Sequence, residues 1–389
     1  MNKENKDYLL FHKPYITEEE INEMVDTLRS GWLSMGPKTI KFENEFNKYI
    51  GSKRSVAVSS WTAAGHLTLE AFGIQQGDEV IVPTMTFPAT AEIVCYFGAK
   101  PVIVDVDEDT LNISLENIEK AITKKTKAII PVHYGGQPCD LDEINEIAKK
   151  YNLRVLEDAA HSLPATYKGR KIGTISEVTC FSFYATKTLS TGEGGMICTD
   201  NEELAERCAI MRLHGINRDA WKRYSESGSW YYEVVAPGYK YNFTDLQASL
   251  GLPQLKKVDF MWESRKYIAN RYNEAFKDFD LITLHTIKPD RESSWHLYPI
   301  RLNLDMLKVT RAQIIDELKQ NNIGVGVHFM PVNKHLFYQE TFKLEDKDFP
   351  VANSVFPRLL SLPIYPGMTD KNIDKVINVF TDILKKYRR

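Results

Sequence analysis

The chain has 389 residues, of which 43% are apolar and 26% charged, as in ordinary globular proteins. This length allows one large domain and one small one. The formal net charge of −3 excludes the strongly basic balance that most nucleic-acid-binding proteins carry. No apolar run approaches the length of a membrane span, so we expect neither nucleic acid nor a membrane as partner.

The cysteines and the N-terminal stretch predict a cytoplasmic protein. The five cysteines are an odd number and form no Cys-x-x-Cys pair. Cys95, Cys180 and Cys198 lie in apolar runs, so we expect buried free thiols, which are typical of a reducing compartment. The stretch MNKENKDYLLFHK at 1–13 lacks the apolar core of a signal peptide. We expect no metal site.

Helical and strand patterns alternate in the first half of the chain. Thr17 and Glu20 form a capping-box pattern, which predicts a helix from Thr17 toward Leu28. A later predicted helix is capped by Asp140 and Glu143 and has an apolar stripe. Nearly continuous apolar runs predict strands covered on both faces, at 55–58, 79–82, 101–105, 127–131 and 154–158. This alternation predicts a mainly parallel α/β sheet.

The pattern changes after residue 158. The runs at 178–183 and 195–199 also predict strands, but only eleven residues separate them. This is short for a helical crossover, so we expect an antiparallel pair joined by a loop. A helical stretch follows at about 244–280.

A second α/β pattern occupies the C-terminal third. It contains a predicted strand at 295–302, a helix from Thr310 to Asn321, an apolar run at 325–329 and a final helix from Thr369. We predict a domain boundary near 255. It divides the chain into a large domain at 1–255 and a small C-terminal α/β domain at 256–389.

The loop between the two predicted antiparallel strands carries Lys187, within FSFYATKTLSTGEGG at 181–195. Ligand sites of open α/β sheets gather at such strand ends. A lysine amine can form a Schiff base with an aldehyde, and burial lowers its pKa toward the nucleophilic neutral form. A solvated loop charge is the alternative for any single loop lysine.

Asp158 and His161 follow a neighbouring strand, within LEDAAHS at 156–162. An ionised carboxylate at the end of an apolar strand needs a partner, and the ring nitrogen of pyridoxal phosphate is one. His161 is placed to face the same ligand. The alternatives are a helix N-cap for Asp158 and a structural role for His161.

Two further strand ends complete the pattern. In VSSWTAAGH, at 58–66, a strand is followed by small hydroxyl residues and a helix start, which is the chemistry of an anion site to which Thr62 adds a hydroxyl. Helix capping is the alternative. Phe87, in PTMTFPAT at 83–90, either stacks on a flat ring or packs in the core. Together the lysine, aspartate, phosphate cradle and aromatic side chain point to pyridoxal phosphate.

Four stretches resemble the DegT/DnrJ family of sugar-nucleotide aminotransferases. They are VLEDAAH at 155–161, FSFYATK at 181–187, EGG at 193–195 and PGYKYN at 237–242. The resemblance runs from about residue 10 to the end of the chain and is greatest to spore-coat polysaccharide and UDP-4-keto-sugar aminotransferases. It implies the pyridoxal-phosphate-dependent transferase fold type I, with a large three-layer α/β/α domain, a mainly parallel sheet and a smaller C-terminal α/β domain.

The resemblance also implies roles for single residues. Lys187 would bond to pyridoxal phosphate, Asp158 would pair with the pyridine nitrogen, and His161 would lie by the phenolic oxygen. Phe87 would stack on the ring. The phosphate would be bound by Trp61, Thr62, Ser182 and, in a homodimer, the partner subunit's Asn242.

The implied reaction moves an amino group from L-glutamate to C4 of a nucleotide-linked 4-keto sugar, of the UDP-4-keto-6-deoxyhexose type, for polysaccharide biosynthesis. Family members that dehydrate have histidine at the position of Lys187, so the lysine argues for transamination. Substrate contacts are expected from Tyr239, Lys240 and His328, and from the loops at 31–37 and 214–240.

Three alternatives stay open at this point. The amino group could go to C3 of the sugar instead of C4. The protein could be a pyridoxal-phosphate-binding regulator without turnover. A nicotinamide-dependent oxidoreductase would also begin as alternating α/β, but the first strand–helix turn lacks Gly-x-Gly-x-x-Gly.

Overall fold

The computed structural model describes residues 7–217 and 231–389. Its helices are α1 (Glu18–Ser30), α2 (Pro37–Ile50), α3 (Trp61–Ala71), α4 (Ala89–Cys95), α5 (Leu115–Ala121), α6 (Leu141–Tyr151), α7 (Glu202–Met211), α8 (Asp245–Lys256), α9 (Val258–Phe276), α10 (Arg311–Gln320), α11 (Leu336–Phe342), α12 (Pro350–Val355) and α13 (Asp370–Lys386). Its strands are β1 (Arg54–Val58), β2 (Glu79–Pro83), β3 (Lys100–Val104), β4 (Thr126–Ile129), β5 (Arg154–Asp158), β6 (Thr166–Tyr167), β7 (Arg170–Lys171), β8 (Val178–Ser182), β9 (Gly195–Thr199), β10 (Ile282–Leu284), β11 (Arg291–Glu292), β12 (Tyr298–Leu302) and β13 (Leu359–Leu362).

Within the described residues, seven strands form one sheet in the order β1-β9-β8-β5-β4-β2-β3. From β3 to β8 all neighbouring strands are parallel, whereas β9 pairs antiparallel with both β8 and β1. The predicted mainly parallel sheet and the predicted antiparallel pair are both confirmed. Because the ends of parallel strands share one edge of a sheet, the β8–β9 loop lies at the same edge as the end of β5.

Helices cover both faces of this sheet. Val56 and Val58 of β1 belong to one apolar core, and Ala57 between them belongs to a second core, since side chains alternate along a strand. The first core includes residues of α3, α4 and α7, and the second includes residues of α2, α5, α6 and α8. The predicted three-layer α/β/α architecture is therefore confirmed.

The C-terminal part adds a smaller α/β unit, as predicted. An antiparallel sheet, β10-β12-β13, packs with α9, α10 and α13 around a third apolar core. The apolar run at 325–329 contributes only isolated pairing, such as that of Gly326 with Ser361 of β13. The domain boundary near 255 stays a prediction, since α9 supplies Val258 to the second core and Ile268 to the third.

Two predicted helix caps have different outcomes. At α1, the Thr17 N–H donates to Glu20 Oε2 over 2.7 Å, as the capping-box pattern predicted. At α6, Asp140 makes no capping hydrogen bond. Its carboxylate instead pairs with Lys288 Nζ at 2.7 Å and Arg291 Nη2 at 2.8 Å. This predicted cap is wrong because two distant cations compete for the carboxylate.

All five cysteines are free, and all except the partly exposed Cys95 are buried. Across the described ranges, no helix is both long enough and apolar enough to cross a membrane.

Candidate active site

Loops at the carboxyl ends of the parallel strands enclose a cavity of about 570 Å³. Its wall includes most of the residues singled out in the sequence, namely Trp61, Thr62, Phe87, Asp158, His161, Ser182, Lys187 and His328. It also includes residues that sequence reasoning missed, among them Phe11, His12, Ser60, Thr90, Tyr184, His296 and Phe329.

Lys187 lies in the β8–β9 loop, and its backbone N–H donates to the Tyr184 carbonyl over 2.8 Å. Burial lowers the pKa of Lys187 to about 8, although the carboxylate of Asp158 acts in the opposite direction. About a tenth of the amine is therefore neutral and nucleophilic at pH 7, far more than for an ordinary lysine. This environment differs from that of a solvated loop lysine.

The lowered pKa of Lys187 predicts how the amine reacts with aldehydes. The neutral fraction grows as pH rises through the pKa, so the rate at which cofactor-free protein captures pyridoxal phosphate should rise with a midpoint near pH 8 and then level off. Asp158→Asn removes a negative charge that raises the pKa of Lys187, so the midpoint of the capture rate in this variant should lie at lower pH. Stopped-flow absorbance measures the rate. A midpoint near 10.5, the ordinary lysine value, would contradict the burial argument.

Asp158 ends β5 and is 4% exposed. Its Oδ2 accepts from Thr90 Oγ1 over 2.8 Å and its Oδ1 from the Ala160 N–H over 3.1 Å. Burial raises the pKa of Asp158 to about 6 in spite of these two hydrogen bonds. No α-helix lies between β5 and β6, so the N-cap alternative is wrong. A buried carboxylate of this kind is stabilised by a cationic partner.

His161 contacts two other rings of the cavity wall. Its centroid is 4.3 Å from that of His296, and Phe329 stacks on it at 5.6 Å. The Nδ1 atoms of both histidines are buried without a hydrogen-bond partner. Burial holds the pKa of each ring well below the ordinary value. Both imidazoles are therefore neutral at pH 7, and each has one N–H to offer to an oxygen of a ligand.

The start of α3 forms an anion cradle. Ser60 caps the helix by accepting from the Ala63 N–H over 3.0 Å. The Trp61 indole donates to the Cys180 carbonyl over 3.0 Å, so its ring is held in the core while Thr62 and Ser182 supply hydroxyls to the cavity. Backbone N–H groups and the helix dipole favour a phosphate at such a helix start.

Gly195 of β9 permits close approach to this cradle. A Cβ at Gly195 would lie 2.6 Å from the carbonyl carbon of Ser60 and 2.9 Å from Trp61 N. We expect Gly195→Ala to displace the helix start and to raise the dissociation constant of pyridoxal phosphate about tenfold or more, given the usual cost of overpacking. Fluorescence titration of the cofactor measures it. Gly251→Ala, whose Cβ would meet the Phe42 ring at 2.8 Å at a position outside the cavity wall, is the control for overpacking elsewhere, and an equal loss of cofactor affinity there would contradict this explanation.

Phe87 is 62% exposed at the cavity mouth and contacts the edge of Phe329, with the ring centroids 6.2 Å apart. It is not a core residue, so the ordinary core alternative is wrong. Its ring face is available for stacking on a planar ligand.

Of the expected substrate contacts that the structure describes, only His328 lies in the wall of this cavity. Its ring stacks on Phe11 at 5.1 Å, and its Nδ1 lies 3.0 Å from Ser361 Oγ. Burial lowers the pKa of His328 to about 4, so this ring is also neutral. In the 31–37 loop, the Trp32 indole donates to the Met35 carbonyl, outside the cavity wall.

The PGYKYN stretch does not belong to the cavity wall of its own chain. Tyr239 stacks on Tyr241 at 5.1 Å. Asn242 lies beside the end of β1, and its Nδ2 donates to the Phe243 carbonyl over 3.1 Å. Lys240 pairs with the chain near the end of α7. Part of the expected 214–240 loop, at 218–230, lies outside the described residues.

The N-terminal segment supplies wall residues that no local sequence signal identified. The Leu9 N–H donates to the Asn322 carbonyl over 2.9 Å and fixes the segment against the C-terminal unit. His12 Nε2 donates to the Ala185 carbonyl over 3.1 Å, next to the Lys187 loop. Burial, followed by the charge of Arg265, lowers the pKa of His12 to about 3. A long-range contact of this kind becomes visible only in the folded chain.

These residues fit pyridoxal phosphate. The cavity combines an amine with a lowered pKa, a buried carboxylate suited to a cation and a helix start suited to a phosphate. Gly195 leaves space at the cradle that a side chain would fill.

The chain is similar over nearly its whole length to a known family of aminotransferases. The model of the DegT/DnrJ/EryC1/StrS aminotransferase family matches residues 14–381. An uncharacterized protein of Methanocaldococcus jannaschii is 55% identical over 97% of this chain and 97% of its own. The spore coat polysaccharide biosynthesis protein SpsC of Bacillus subtilis is 49% identical over 99% of both chains.

A solved structure shows the same architecture. Spr1654 of Streptococcus pneumoniae, assigned as a sugar aminotransferase, superposes in its PMP form with a TM-score of 0.90 at 36% identity, covering 97% of this chain and 99% of that chain. Its PLP form also gives a TM-score of 0.90. The alternative of a nicotinamide oxidoreductase is therefore wrong. The chain belongs to the DegT/DnrJ/EryC1/StrS aminotransferase family, and it is an aminotransferase that depends on pyridoxal phosphate.

Proposed function

We propose that this enzyme transfers the amino group of L-glutamate to C4 of a nucleotide-linked 4-keto sugar, of the UDP-4-keto-6-deoxyhexose type, in polysaccharide biosynthesis. The observation that carries the proposal is a single cavity that holds a lysine with a lowered pKa, a buried aspartate and a helix start. The similarity to SpsC and to Spr1654 supports a sugar as acceptor and a polysaccharide as destination.

The site residues divide into those that hold the cofactor and those that act on protons. Lys187 would bond to the aldehyde carbon and Asp158 would pair with the ring nitrogen, while Thr62, Ser182 and the start of α3 would bind the phosphate. When bound, pyridoxal phosphate supplies an electron-accepting ring that stabilises negative charge on the substrate carbon next to the nitrogen.

Lys187 is the proposed proton carrier. With an amino donor bound in the cavity, the Nζ atom would take the proton from the α-carbon of the donor and pass it to the former aldehyde carbon. In the second half-reaction the same atom would return a proton from that carbon to C4 of the sugar. A group whose pKa is about 8 can both accept and donate a proton near neutral pH.

Asp158 and His161 would set the charge on the ring. A cationic ring nitrogen would favour the ionised form of Asp158, whose pKa is about 6 without that partner. The carboxylate would in turn keep this nitrogen protonated. The neutral His161 would offer its N–H to the phenolic oxygen.

The same cavity would take glutamate first and the keto sugar second, which predicts ping-pong kinetics. Phe11, Phe87 and Phe329 give its wall aromatic faces, and His328 gives it a polar one. Such a mixture suits a sugar nucleotide, because ligand sites combine apolar walls with a few polar groups.

We also propose a homodimer, in which the partner subunit's Asn242 reaches the phosphate and the PGYKYN stretch approaches the sugar diphosphate. This placement is supported by the position of the stretch outside its own cavity and by exposed apolar side chains such as Leu28, Val234 and Val235. The free cysteines support the cytoplasm as the proposed compartment.

Transfer of a labelled nitrogen tests the proposed reaction. We expect ¹⁵N from L-glutamate to appear on C4 of a UDP-4-keto-6-deoxyhexose, detected by NMR of the product. Label on C3 of a 3-keto sugar, with none transferred to a 4-keto sugar, would favour the C3 alternative. The absence of label from every sugar, with the cofactor bound, would favour a regulator without turnover.

A further inference from the structure

A buried arginine lies behind one wall of the active-site cavity. Arg265 of α9 is 0% exposed. Its Nη1 donates to the carbonyls of Ile364 at 2.7 Å and His296 at 3.3 Å, and both of these residues line the cavity. Arg265 therefore stands one residue behind the surface that a substrate would contact.

The charge of Arg265 is poorly compensated. Within the described parts of the chain, its guanidinium donates to backbone carbonyls, and its Nε and Nη2 atoms have no hydrogen-bond partner. A buried ion without a counter-ion is costly, so an anion bound nearby would stabilise it. Lys187 is the only lysine or arginine among the described residues of the cavity wall, and its amine is used in the chemistry.

His296 stands between this charge and the cavity. Its Nδ1 is buried without a hydrogen-bond partner. Its Nε2 also makes no hydrogen bond within the described residues, but this atom is not fully buried. Nε2 is therefore the ring nitrogen that is open to the cavity. A neutral imidazole carries one N–H, and only at Nε2 can a ligand satisfy it. The wall thus offers a donor to an oxygen atom, with a positive charge behind it.

We propose that His296, with Arg265 behind it, forms the subsite for the α-carboxylate of the amino donor. This rests on the proposed function, because the α-carboxylate is bonded to the carbon that must lie next to Lys187. The carboxylate accepts from His296 Nε2 and balances the charge of Arg265. Arg265 is a positioning residue, since it acts through the carbonyls of His296 and Ile364 and through its field.

The test uses the enzyme loaded with pyridoxal phosphate and two variants of one residue. His296→Phe removes the donor, and His296→Gln keeps an N–H close to the place of Nε2. The ligand is 2-methylglutamate, which has no α-hydrogen and therefore binds without transamination. Its dissociation constant, read from the cofactor absorbance, should rise about tenfold or more in His296→Phe and less than about threefold in His296→Gln, since a hydrogen bond to a charged group is lost only in the first.

A second measurement separates a donor subsite from a structural role. The keto-sugar concentration that gives half-maximal rate in the second half-reaction should change less than about threefold in His296→Phe. Three results would overturn the subsite alone. They are an equal loss of apparent affinity for 2-methylglutamate and for the keto sugar, an equal loss of affinity for 2-methylglutamate in both variants, and an unchanged affinity for 2-methylglutamate in His296→Phe. If the unmutated protein shows no visible cofactor band, the proposed function fails, and the subsite fails with it.

Discussion

Lys187→Ala is expected to abolish transamination while the fold survives. The variant loses both the covalent attachment of the cofactor and the proton carrier, so turnover should fall by at least about 10⁴-fold, the upper range for general acid–base catalysis alone. The fold should persist because the side chain lies in a cavity wall and its burial already disfavours the charged form. Steady-state turnover and thermal unfolding measure the two effects.

Lys124→Ala is the matched control for this prediction. Lys124 is exposed in the turn before β4, so its loss should leave turnover within about twofold. Turnover retained by Lys187→Ala, in a preparation free of the unmutated enzyme, would remove Lys187 from the chemistry.

The second large effect is expected from Asp158→Asn. Asparagine keeps the shape and can still accept from Thr90 or the Ala160 N–H, but it carries no charge to hold a ring nitrogen protonated. We expect kcat to fall on the order of a hundred- to a thousandfold, as when one preorganised electrostatic contact is lost. A fall of less than threefold would contradict the proposed role of Asp158.

The same substitution should stabilise the cofactor-free protein. The pKa of Asp158 is about 6 in the fold and 3.8 in its ordinary state, so folding favours the protonated form. The ionised carboxylate therefore costs stability at neutral pH, and the cost disappears as the pH falls below about 4. Thermal unfolding should show Asp158→Asn as the more stable protein at pH 7 but not at pH 4. Equal stability at both values would show that burial does not penalise this carboxylate.

The strand ends explain why much of the site was predictable. The apolar runs that precede Asp158 and Lys187 form the neighbouring strands β5 and β8. Because these strands are parallel, their carboxyl ends lie at the same edge of the sheet. The mainly parallel α/β sheet and the antiparallel β8–β9 pair followed from the lengths and spacing of the apolar runs, whereas the fold type came from the family resemblance. The resemblance to a family added the roles of single residues, which spacing alone left open.

What sequence reasoning missed depends on long-range packing. His12 and His296 reach the cavity from two distant segments, and nothing local marks them as ligand contacts. The predicted cap at Asp140 failed for a related reason, because Arg291, far along the chain, takes the carboxylate. Local pattern predicts an element well but does not predict which distant side chain will compete for its polar groups.

The absorption spectrum of the purified protein with pyridoxal phosphate, recorded before and after L-glutamate, tests the central claim most directly. We expect a visible band for the cofactor bound to Lys187, which glutamate converts to the near-ultraviolet band of pyridoxamine phosphate. A protein that shows no visible band even with added pyridoxal phosphate would contradict the assignment of Lys187 and the whole account of this cavity.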